Sequence, residues 1–221
     1  MKLQKALQVV PLVSKLHRTQ QWDARAIVDF SLASPVIRPL QVRSELQQFA
    51  DITANLKPKI VMEIGTNHGG TLCIFSRLAA HDATIISVDL PGGEFGGGYT
   101  WLHIPIFKSF RYAQQKLHLL RGDSHSSEMS DRVRNIVGDS RKVDLLFIDG
   151  DHSYEGVKKD FDCYANLVRT GGIVAFHDIA EHTIKTCQVS RFWNEVKHRY
   201  SHEEIIEDRN QGWAGIGILY V

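Results

Sequence analysis

The sequence predicts an α/β fold, in which helices alternate with the strands of a doubly wound, mostly parallel seven-stranded sheet. Three observations support this prediction. Short β-branched and apolar runs alternate with segments of helical periodicity. The first run, residues 60–64, leads through a glycine loop into a helical pattern, as in the first unit of a nucleotide-binding sheet. Two short runs near the C-terminus predict a hairpin-like pair, and therefore an antiparallel C-terminal strand.

The N-terminal residues 1–40 are the least informative part of the chain. They contain three of the six prolines and only weak helical periodicity, so we interpret them as an irregular or helical extension. Such an extension would cap a functional site or form a subunit contact in a homo-oligomer. The main domain then spans residues 41–221, where Ser44 and Gln47 form a capping-box pattern at the start of a helix that Pro58 ends.

The central and C-terminal elements follow from the same periodicities. Besides residues 60–64, the runs that predict strands are 84–89, 117–120, 143–148, 173–176, 204–207 and 216–221. The helical patterns between them cover 73–79, 102–116, 126–137, 155–169 and 190–199. Thr170-Gly171-Gly172 is predicted to end the helix 155–169.

The loop after the first strand indicates which ligand the sheet binds. A dinucleotide site requires Gly-x-Gly-x-x-Gly for a pyrophosphate, whereas this loop has glycines at 65, 69 and 70 and is preceded by Glu63. A carboxylate there would repel a pyrophosphate but pair with an ammonium, which favours S-adenosylmethionine. A second acid, Asp89, ends the next strand, where it is placed to accept both ribose hydroxyls of a nucleoside.

The end of the third strand is expected to lie beside the adenine of such a cofactor. Asp123 would accept from the adenine amino group, and the Ser124 N–H would donate to a ring nitrogen. The same segment also predicts a helix N-cap at Ser126 or Ser127. Both interpretations hold together, because Asp123 precedes the cap.

The glycine-rich segment 91–101 follows the predicted ribose acid directly. Its five glycines make a rigid element implausible. It is either a flexible connection or a mobile lid in which Phe95, Tyr99 and Trp101 cover cofactor or substrate.

Composition excludes several classes of partner. Lys plus Arg (26) nearly balances Asp plus Glu (25) and no long basic run occurs, so a nucleic acid is not expected. Three cysteines lie far apart, which favours a reducing compartment. No apolar stretch approaches the roughly 18 residues of a membrane span, and the start lacks the apolar core of a signal peptide. We therefore expect a cytoplasmic protein with no membrane contact.

The ends of the fourth and fifth strands carry the densest group of reactive side chains. Asp149, Asp151 and His152 follow the fourth strand, and His177 and Asp178 end the fifth. In a doubly wound sheet both strand ends lie close to the reacting end of a cofactor. Buried carboxylates at this density are costly when unpaired. The pattern therefore predicts a bound cation or a proton-sharing arrangement.

These features together resemble those of class I S-adenosylmethionine-dependent methyltransferases, which have a Rossmann-like sheet. The segments Phe-Ile-Asp-Gly-Asp-His-Ser-Tyr-Glu-Gly-Val-Lys-Lys-Asp and Gly-Gly-Ile-Val-Ala-Phe-His-Asp narrow the resemblance to metal-dependent small-molecule O-methyltransferases. The group is that of cephalosporin-hydroxylase-like proteins and macrolide sugar O-methyltransferases, and the resemblance covers roughly residues 41–221. It implies that Asp149 and Asp178 hold a divalent ion, Mg²⁺ or Mn²⁺, and that His152 is the general base. The cofactor-binding residues are then expected to be Glu63, Gly65, Thr66, Asn67, His68, Gly69, Asp89, Asp123, Ser124 and Asp149.

His177 departs from these relatives. Macrolide-type relatives tend to have an acid at this position, and catechol and caffeoyl-CoA O-methyltransferases typically show an Asp-Asn pair in place of His177-Asp178. Imidazole suits Mn²⁺, Fe²⁺, Ni²⁺ or Zn²⁺ better than Mg²⁺. Neighbours on a strand point to opposite faces, so residues 177 and 178 reach one ion only if the strand has already ended. Three roles stay open for His177: metal ligand beside Asp149 and Asp178, cofactor contact, or buried histidine.

The predicted function is therefore S-adenosylmethionine-dependent O-methylation of a small molecule, a sugar or natural product. The metal ion would lower the pKa of the acceptor hydroxyl, and His152, with an ordinary histidine pKa of ~6.5, would accept its proton. Two other classes remain. A non-haem iron hydroxylase would use His152, His177 and a carboxylate as ligands, and a non-catalytic protein would bind S-adenosylmethionine without turnover.

Overall fold

The structure, a computed structural model, describes residues 3–93, 97–140 and 142–221. Within these residues seven strands form one sheet in the order β3-β2-β1-β4-β5-β7-β6. Strand β7 pairs antiparallel with both β5 and β6, and the other pairs are parallel. The predicted fold class is confirmed. The strands are Ile60–Ile64 (β1), Thr84–Asp89 (β2), Lys116–Arg121 (β3), Val143–Ile148 (β4), Val168–His177 (β5), Ser201–Ile205 (β6) and Ile216–Tyr220 (β7).

Helices cover both faces of the sheet. The α-helices are Leu3–Arg18 (α1), Ala24–Ala33 (α2), Arg43–Leu56 (α3), Gly70–Leu78 (α4), Ile104–Lys108 (α5), Ser127–Val137 (α6), Tyr154–Tyr164 (α7) and Val189–Val196 (α8). Short 3-10 turns occupy Trp101–His103, Ala165–Leu167 and Lys197–Arg199. None of the helices in the described ranges combines the length and apolar character needed to cross a membrane.

The sheet separates two apolar cores. On one face, Phe49 of α3 and Phe75 of α4 pack on Phe147 of β4, with ring centroids 5.3–5.8 Å apart. On the other face, α6, α7 and α8 cover a core that includes Phe176 and Trp193. The central strands are buried on both sides, which explains why their sequences are continuous apolar runs.

The N-terminal residues form helices α1 and α2. Leu12, Leu16 and Ile27 from these helices are buried in the same core as Phe49. The helical form of the predicted extension is therefore confirmed for the described residues. Its proposed role as a cap or a subunit contact stays a prediction.

The capping box predicted at Ser44 and Gln47 is wrong. The helix begins one residue earlier, and its N-cap is Val42, which has no side-chain cap hydrogen bond. Ser44 instead donates from Oγ to Glu207, and Gln47 donates from Nε2 to Asp51. Both polar groups thus bind partners other than the helix start, which a local pattern does not show.

The helix predicted over residues 102–116 is also wrong. Only the 3-10 turn and the short α5 form there, and the chain then turns to reach β3 beside β2. Gln115 fixes this turn: its Nε2 donates to the carbonyls of Ser76 and Ala80, and its Oε1 accepts from the Tyr112 N–H. A tertiary anchor at the end of the segment therefore replaces the later turns of the predicted helix.

Thr170-Gly171-Gly172 does not end a helix, contrary to the prediction. Helix α7 ends at Tyr164, and residues 170–172 belong to β5. Gly171 donates to the Val221 carbonyl at 2.6 Å, and the Val221 N–H donates to the Gly172 carbonyl at 3.0 Å. These hydrogen bonds to Val221 extend β5 toward its N-terminus.

Candidate active site

A cavity of about 1090 Å³ opens at the carboxyl ends of the parallel strands. Its walls come from the loops after β1 to β5, from residues 38–41 between α2 and α3, and from residues 211–213 before β7. Every site residue predicted from the sequence lines this cavity except Glu63 and Gly69. The sheet thus brings the predicted cofactor loop and the predicted metal ligands into one space.

The loop after β1 needs its glycines for two reasons. Gly65 and Gly69 have φ values of +87° and +83°, which glycine adopts without strain. A Cβ on Gly65 would also lie 1.9 Å from the Asp149 carbonyl oxygen, and one on Gly69 would lie 2.4 Å from the Phe107 ring. The loop therefore packs directly against the end of β4 and against α5.

Asp89 fastens this loop. Its Oδ2 accepts from the backbone N–H groups of Thr66 and Asn67 at 3.0 and 2.7 Å. Burial raises the pKa of Asp89 above its ordinary value, although these N–H groups oppose the shift. Contact of Asp89 with a ribose stays a prediction, and the loop-holding hydrogen bonds are a role that sequence reasoning missed.

Glu63 lies behind the loop, at the end of β1. Its Oε2 accepts from the Thr66 hydroxyl at 2.8 Å, whereas its buried Oε1 has no hydrogen-bond partner among the described residues. Burial raises the pKa of Glu63 to about 8. An orphaned, buried carboxyl oxygen fits a nearby cationic ligand such as the ammonium of S-adenosylmethionine, although Glu63 itself does not line the cavity. Its contact with a cofactor stays a prediction.

Asp123 and Ser124 follow β3 and line the β3 end of the same cavity. The Asp123 carboxylate accepts from the His125 N–H at 2.8 Å, and Ser126 caps α6 by accepting from the Met129 N–H. The predicted cap is confirmed, and the adenine contacts of Asp123 and Ser124 stay predictions.

Sequence reasoning missed a second polar pair beside this end of the cavity. His125 lines the cavity, and its Nε2 lies 3.2 Å from Oδ1 of Asp160, which is fully buried in α7. The Asp160 carboxylate at this distance raises the pKa of His125, while burial opposes this. Asp160 is 35 residues away in the chain, and no local motif links the two.

The ends of β4 and β5 bring four predicted residues together. The His177 Nδ1 lies 3.1 Å from Asp149 Oδ1 and 3.4 Å from Asp178 Oδ2. The His152 Nδ1 lies 3.1 Å from Asp178 Oδ2, and its Nε2 lies 3.5 Å from Asp149 Oδ1. Since β4 and β5 are parallel neighbours, both strand ends deliver their side chains to the same corner of the cavity.

One carboxylate oxygen of Asp149 and one of Asp178 accept hydrogen bonds from uncharged donors. Gln41 donates from Nε2 to Asp149 Oδ2 at 2.8 Å, and the Ala214 N–H donates to Asp178 Oδ1 at 2.9 Å. These bonds leave Asp149 Oδ1 and Asp178 Oδ2 facing His177. The three ligand atoms of Asp149, His177 and Asp178 lie within 4.8 Å of one another. This donor set, with its oriented outer oxygens, fits a divalent ion.

The backbone at Asp178 explains how the side chains of His177 and Asp178, neighbours in the chain, both lie beside Asp149. Strand β5 ends at His177, and Asp178 has a φ of +62°, in the left-handed region. The alternation of side chains along the strand is therefore broken between them. All three roles predicted for His177 are compatible with its position: it is buried, its Nδ1 faces both acids, and its Nε2 has no partner within the described residues.

The histidines and the acids of this corner shift one another's pKa values in opposite directions. Burial disfavours charged histidines, but Asp149, Asp178 and Cys187 raise the pKa of His152 to about 10, and the two acids raise the pKa of His177 as well. Burial likewise favours protonated acids, but the charge of His177 and the hydrogen bonds of the histidines lower the pKa of both Asp149 and Asp178. A divalent ion bound here would likewise supply positive charge to the two acids.

The predicted lid is only partly within the described residues, because Phe95 lies outside them. Gly93, Gly97 and Gly98 line the cavity. Tyr99 is buried, and its ring packs on Phe107 at 5.0 Å, whereas Trp101 is 71% exposed and stacks against Arg121. Neither of these two aromatic rings lines the cavity, so the covering role predicted for Tyr99 and Trp101 is not seen within the described residues.

Comparison with known proteins identifies the class. A family profile described as a methyltransferase domain matches residues 62–179. The match covers more than half of the chain, so the chain belongs to this methyltransferase family. The predicted membership of the methyltransferases is confirmed.

Curated relatives are similar over short stretches. An uncharacterised protein of Acanthamoeba polyphaga mimivirus is 45% identical over 40 residues, 18% of either chain. An uncharacterised protein of Sinorhizobium fredii is 28% identical over 146 residues, 64% of this chain and 15% of that protein. The chain thus spans less than a fifth of the length of these relatives.

Solved structures are similar over most of the chain. An O-methyltransferase from Bacillus cereus in complex with SAH is 14% identical, with a TM-score of 0.60 over 98% of this chain and 97% of that one. A TDP-rhamnose 3'-O-methyltransferase of calicheamicin biosynthesis is 16% identical, with a TM-score of 0.57 over 100% and 95%. The MycE methyltransferase of the mycinamycin pathway, solved with Mg, SAH and mycinamycin VI, is 18% identical, with a TM-score of 0.50 over 72% and 40%. At these identities the likeness shows the fold.

Proposed function

We propose that this protein transfers the methyl group of S-adenosylmethionine to a hydroxyl of a small molecule, a sugar or natural product, in the cytoplasm. The observation that carries the proposal is the corner of Asp149, His152, His177 and Asp178 inside the cavity that the cofactor loop also lines. The structural neighbours include a TDP-rhamnose 3'-O-methyltransferase and a methyltransferase solved with mycinamycin VI, and both support this substrate class.

The cofactor would lie along the loop after β1. Asp89 and the N–H groups of Thr66 and Asn67 set the shape of that loop, and Asp123 and Ser124 line the same cavity after β3. With the cofactor placed in this way, its methyl-bearing end would face Asp149. Methyl transfer is an in-line displacement at an already activated carbon, so the chain has to align the acceptor and remove its proton.

Asp149, His177 and Asp178 would hold the divalent ion, Mg²⁺ or Mn²⁺, which would lower the pKa of a bound acceptor hydroxyl. His152 would accept the proton of that hydroxyl. With the two acids uncompensated its pKa of about 10 keeps it protonated at neutral pH. A dication bound to the same acids would offset their charges, which lowers the pKa of His152 toward the range of a general base.

The experiment combines metal removal with substitution at His152. A panel of sugar nucleotides and vicinal diols is incubated with S-adenosylmethionine, and release of the demethylated cofactor is measured. A chelator should abolish turnover while calorimetry shows intact cofactor binding, and Mn²⁺ or Mg²⁺ should restore turnover. His152→Ala should lower the rate by ~10²–10⁴-fold with nearly unchanged cofactor affinity.

The matched control is His81→Ala, because His81 stacks on Tyr112 away from this cavity. It should retain activity. Full turnover in the chelator would remove the metal from the mechanism, and a fully active His152→Ala protein would remove the base.

The rival iron hydroxylase is favoured by one observation, the proximity of His152 and His177 to Asp178. Consumption of oxygen without methylated product would support it. Binding of S-adenosylmethionine with neither reaction would support the non-catalytic protein.

A further inference from the structure

A second group of metal-binding atoms adjoins the corner just described. Cys187 lines the cavity, is only 8% exposed, and lies in the segment between Asp178 and α8. Ligand atoms of His152, Asp178 and Cys187 lie within 4.8 Å of one another. Sequence reasoning assigned no role to Cys187, because no motif surrounds it.

The backbone holds these three residues in place. The Gln188 N–H donates to the His152 carbonyl at 2.7 Å, which ties the Cys187 segment to the start of α7. The Cys187 N–H donates to the Ile184 carbonyl at 3.0 Å, and Asp178 is fixed by the Ala214 N–H at 2.9 Å. The three donors are thus presented by segments that hydrogen bonds already hold.

The donor chemistry of this second group differs from that of the first. It offers one thiol, one imidazole and one carboxylate, where the first offers two carboxylates and one imidazole. Three such protein ligands with one open position are typical of zinc sites, and Co²⁺ accepts the same set. Mg²⁺ prefers an all-oxygen shell and competes poorly for a sulfur ligand.

The two groups share Asp178 and differ in their other members. Asp149 and His177 belong to the first group alone, and Cys187 belongs to the second alone. His152 is the residue to which the proposed function assigns proton removal. Coordination of an ion by an imidazole nitrogen of His152 occupies the lone pair that a general base needs.

We propose that His152, Asp178 and Cys187 form a second metal position, selective for Zn²⁺ and similar borderline ions, whose occupation inhibits the enzyme. The metal site is argued from the geometry, and the inhibition rests on the proposed role of His152. Ions of the Zn²⁺ class would therefore regulate methyl transfer that Mg²⁺ or Mn²⁺ supports.

The test of the metal position is spectroscopic and needs no substrate. Reduced protein in excess Mg²⁺ is titrated with Co²⁺, and the thiolate-to-cobalt charge-transfer absorption is followed. The wild type should show this absorption, and Cys187→Ser should lose it. Cys163→Ser, altered on α7 outside the cavity, should retain it.

Asp149→Ala distinguishes a separate position from a single shared site. Because Asp149 belongs only to the first group, this variant should keep the cobalt–thiolate absorption. Absence of the absorption in the wild type would overturn the second position. Its loss in Asp149→Ala would also overturn it, by showing that Cys187 serves the first site.

The test of regulation is inhibition by Zn²⁺ in excess Mg²⁺, each variant being compared with its own rate without Zn²⁺. Cys187→Ser should raise the half-inhibiting Zn²⁺ concentration by roughly 10–100-fold or more, since even outer-shell partners of a metal are worth that factor. Equal inhibition of wild type and Cys187→Ser would overturn the regulatory role. If no methyl transfer is found at all, the proposed function fails, while the cobalt spectrum still decides whether the site exists.

Discussion

Glu63 gives the sharpest quantitative prediction. It is fully buried at the end of β1, and burial raises its pKa from 4.5 to about 8. Between these two values the folded chain keeps a proton that the unfolded chain loses. Stability is therefore present at low pH and falls as pH rises from 4.5 toward 8. At about 1.4 kcal/mol per unit, the full window amounts to at most about 5 kcal/mol.

Replacement of Glu63 by Gln keeps the shape of the side chain and removes the titration. At pH 8 Glu63→Gln should be more stable than the wild type by up to a few kcal/mol, and near pH 4.5 the two should be similar. The measurement is chemical unfolding of the protein without cofactor at several pH values between 4.5 and 8. The difference between the two proteins isolates Glu63 from other buried acids such as Asp89 and Asp160, whose pKa values burial also raises.

The raised pKa of Glu63 also predicts how cofactor binding depends on protons. If Glu63 pairs with the ammonium of S-adenosylmethionine, it must release its proton when the cofactor binds. Calorimetry at pH 7 in buffers of different ionisation enthalpy should detect this proton release in the wild type and not in Glu63→Gln.

Glu128→Gln is the matched control, because Glu128 is an exposed residue in the first turn of α6. It should keep the pH slope of the wild type. Equal pH slopes of wild type and Glu63→Gln would refute the argument that burial shifts this carboxyl. Proton release that persists in Glu63→Gln would refute the pairing with the ammonium.

Two further predictions concern the supports of the site. Asp89→Ala removes the acceptor for the Thr66 and Asn67 N–H groups. It should therefore lower the free energy of unfolding by about 1–3 kcal/mol and weaken cofactor binding roughly tenfold or more. Unchanged cofactor affinity by calorimetry would contradict the proposed role of Asp89 in holding the cofactor loop. Gln41→Leu removes the donor that orients Asp149, so Mn²⁺ affinity should fall roughly 10–100-fold, whereas Gln48→Leu on the exposed side of α3 should leave it unchanged.

The buried strands and the residues at their ends were predictable from the sequence. Strands β1, β2 and β4 have the predicted bounds, because a strand buried on both faces needs a continuous apolar run and ends where polar residues begin. The topology then places Asp149 and His177 together, whereas the approach of Asp178 also depends on its left-handed backbone, which the sequence did not show. Periodicity was less reliable at residues 102–116, where contacts of Gln115 with a distant helix end decide the structure.

The supporting residues of the site were not predictable. Gln41 is 108 positions from Asp149, and Cys187 is 35 positions from His152. Each is isolated in its own segment, with no recurring spacing to signal a role. Their partners depend on how the segment before α3 and the segment before α8 cross the top of the sheet, which is a tertiary property.

The left-handed backbone at Asp178 restricts replacements of this residue more strongly than the strand backbone restricts replacements of His177. Asn, Asp and Gly adopt a φ of +62° readily, whereas other residues pay roughly 1–2 kcal/mol for it. The backbone at position 178 therefore favours Asn, Asp and Gly, of which only Asp adds a negative charge. Position 177 has ordinary strand geometry and carries no such restriction. A change of ligand type at residue 177 therefore costs no backbone strain, whereas most replacements of Asp178 would add strain to the loss of a ligand.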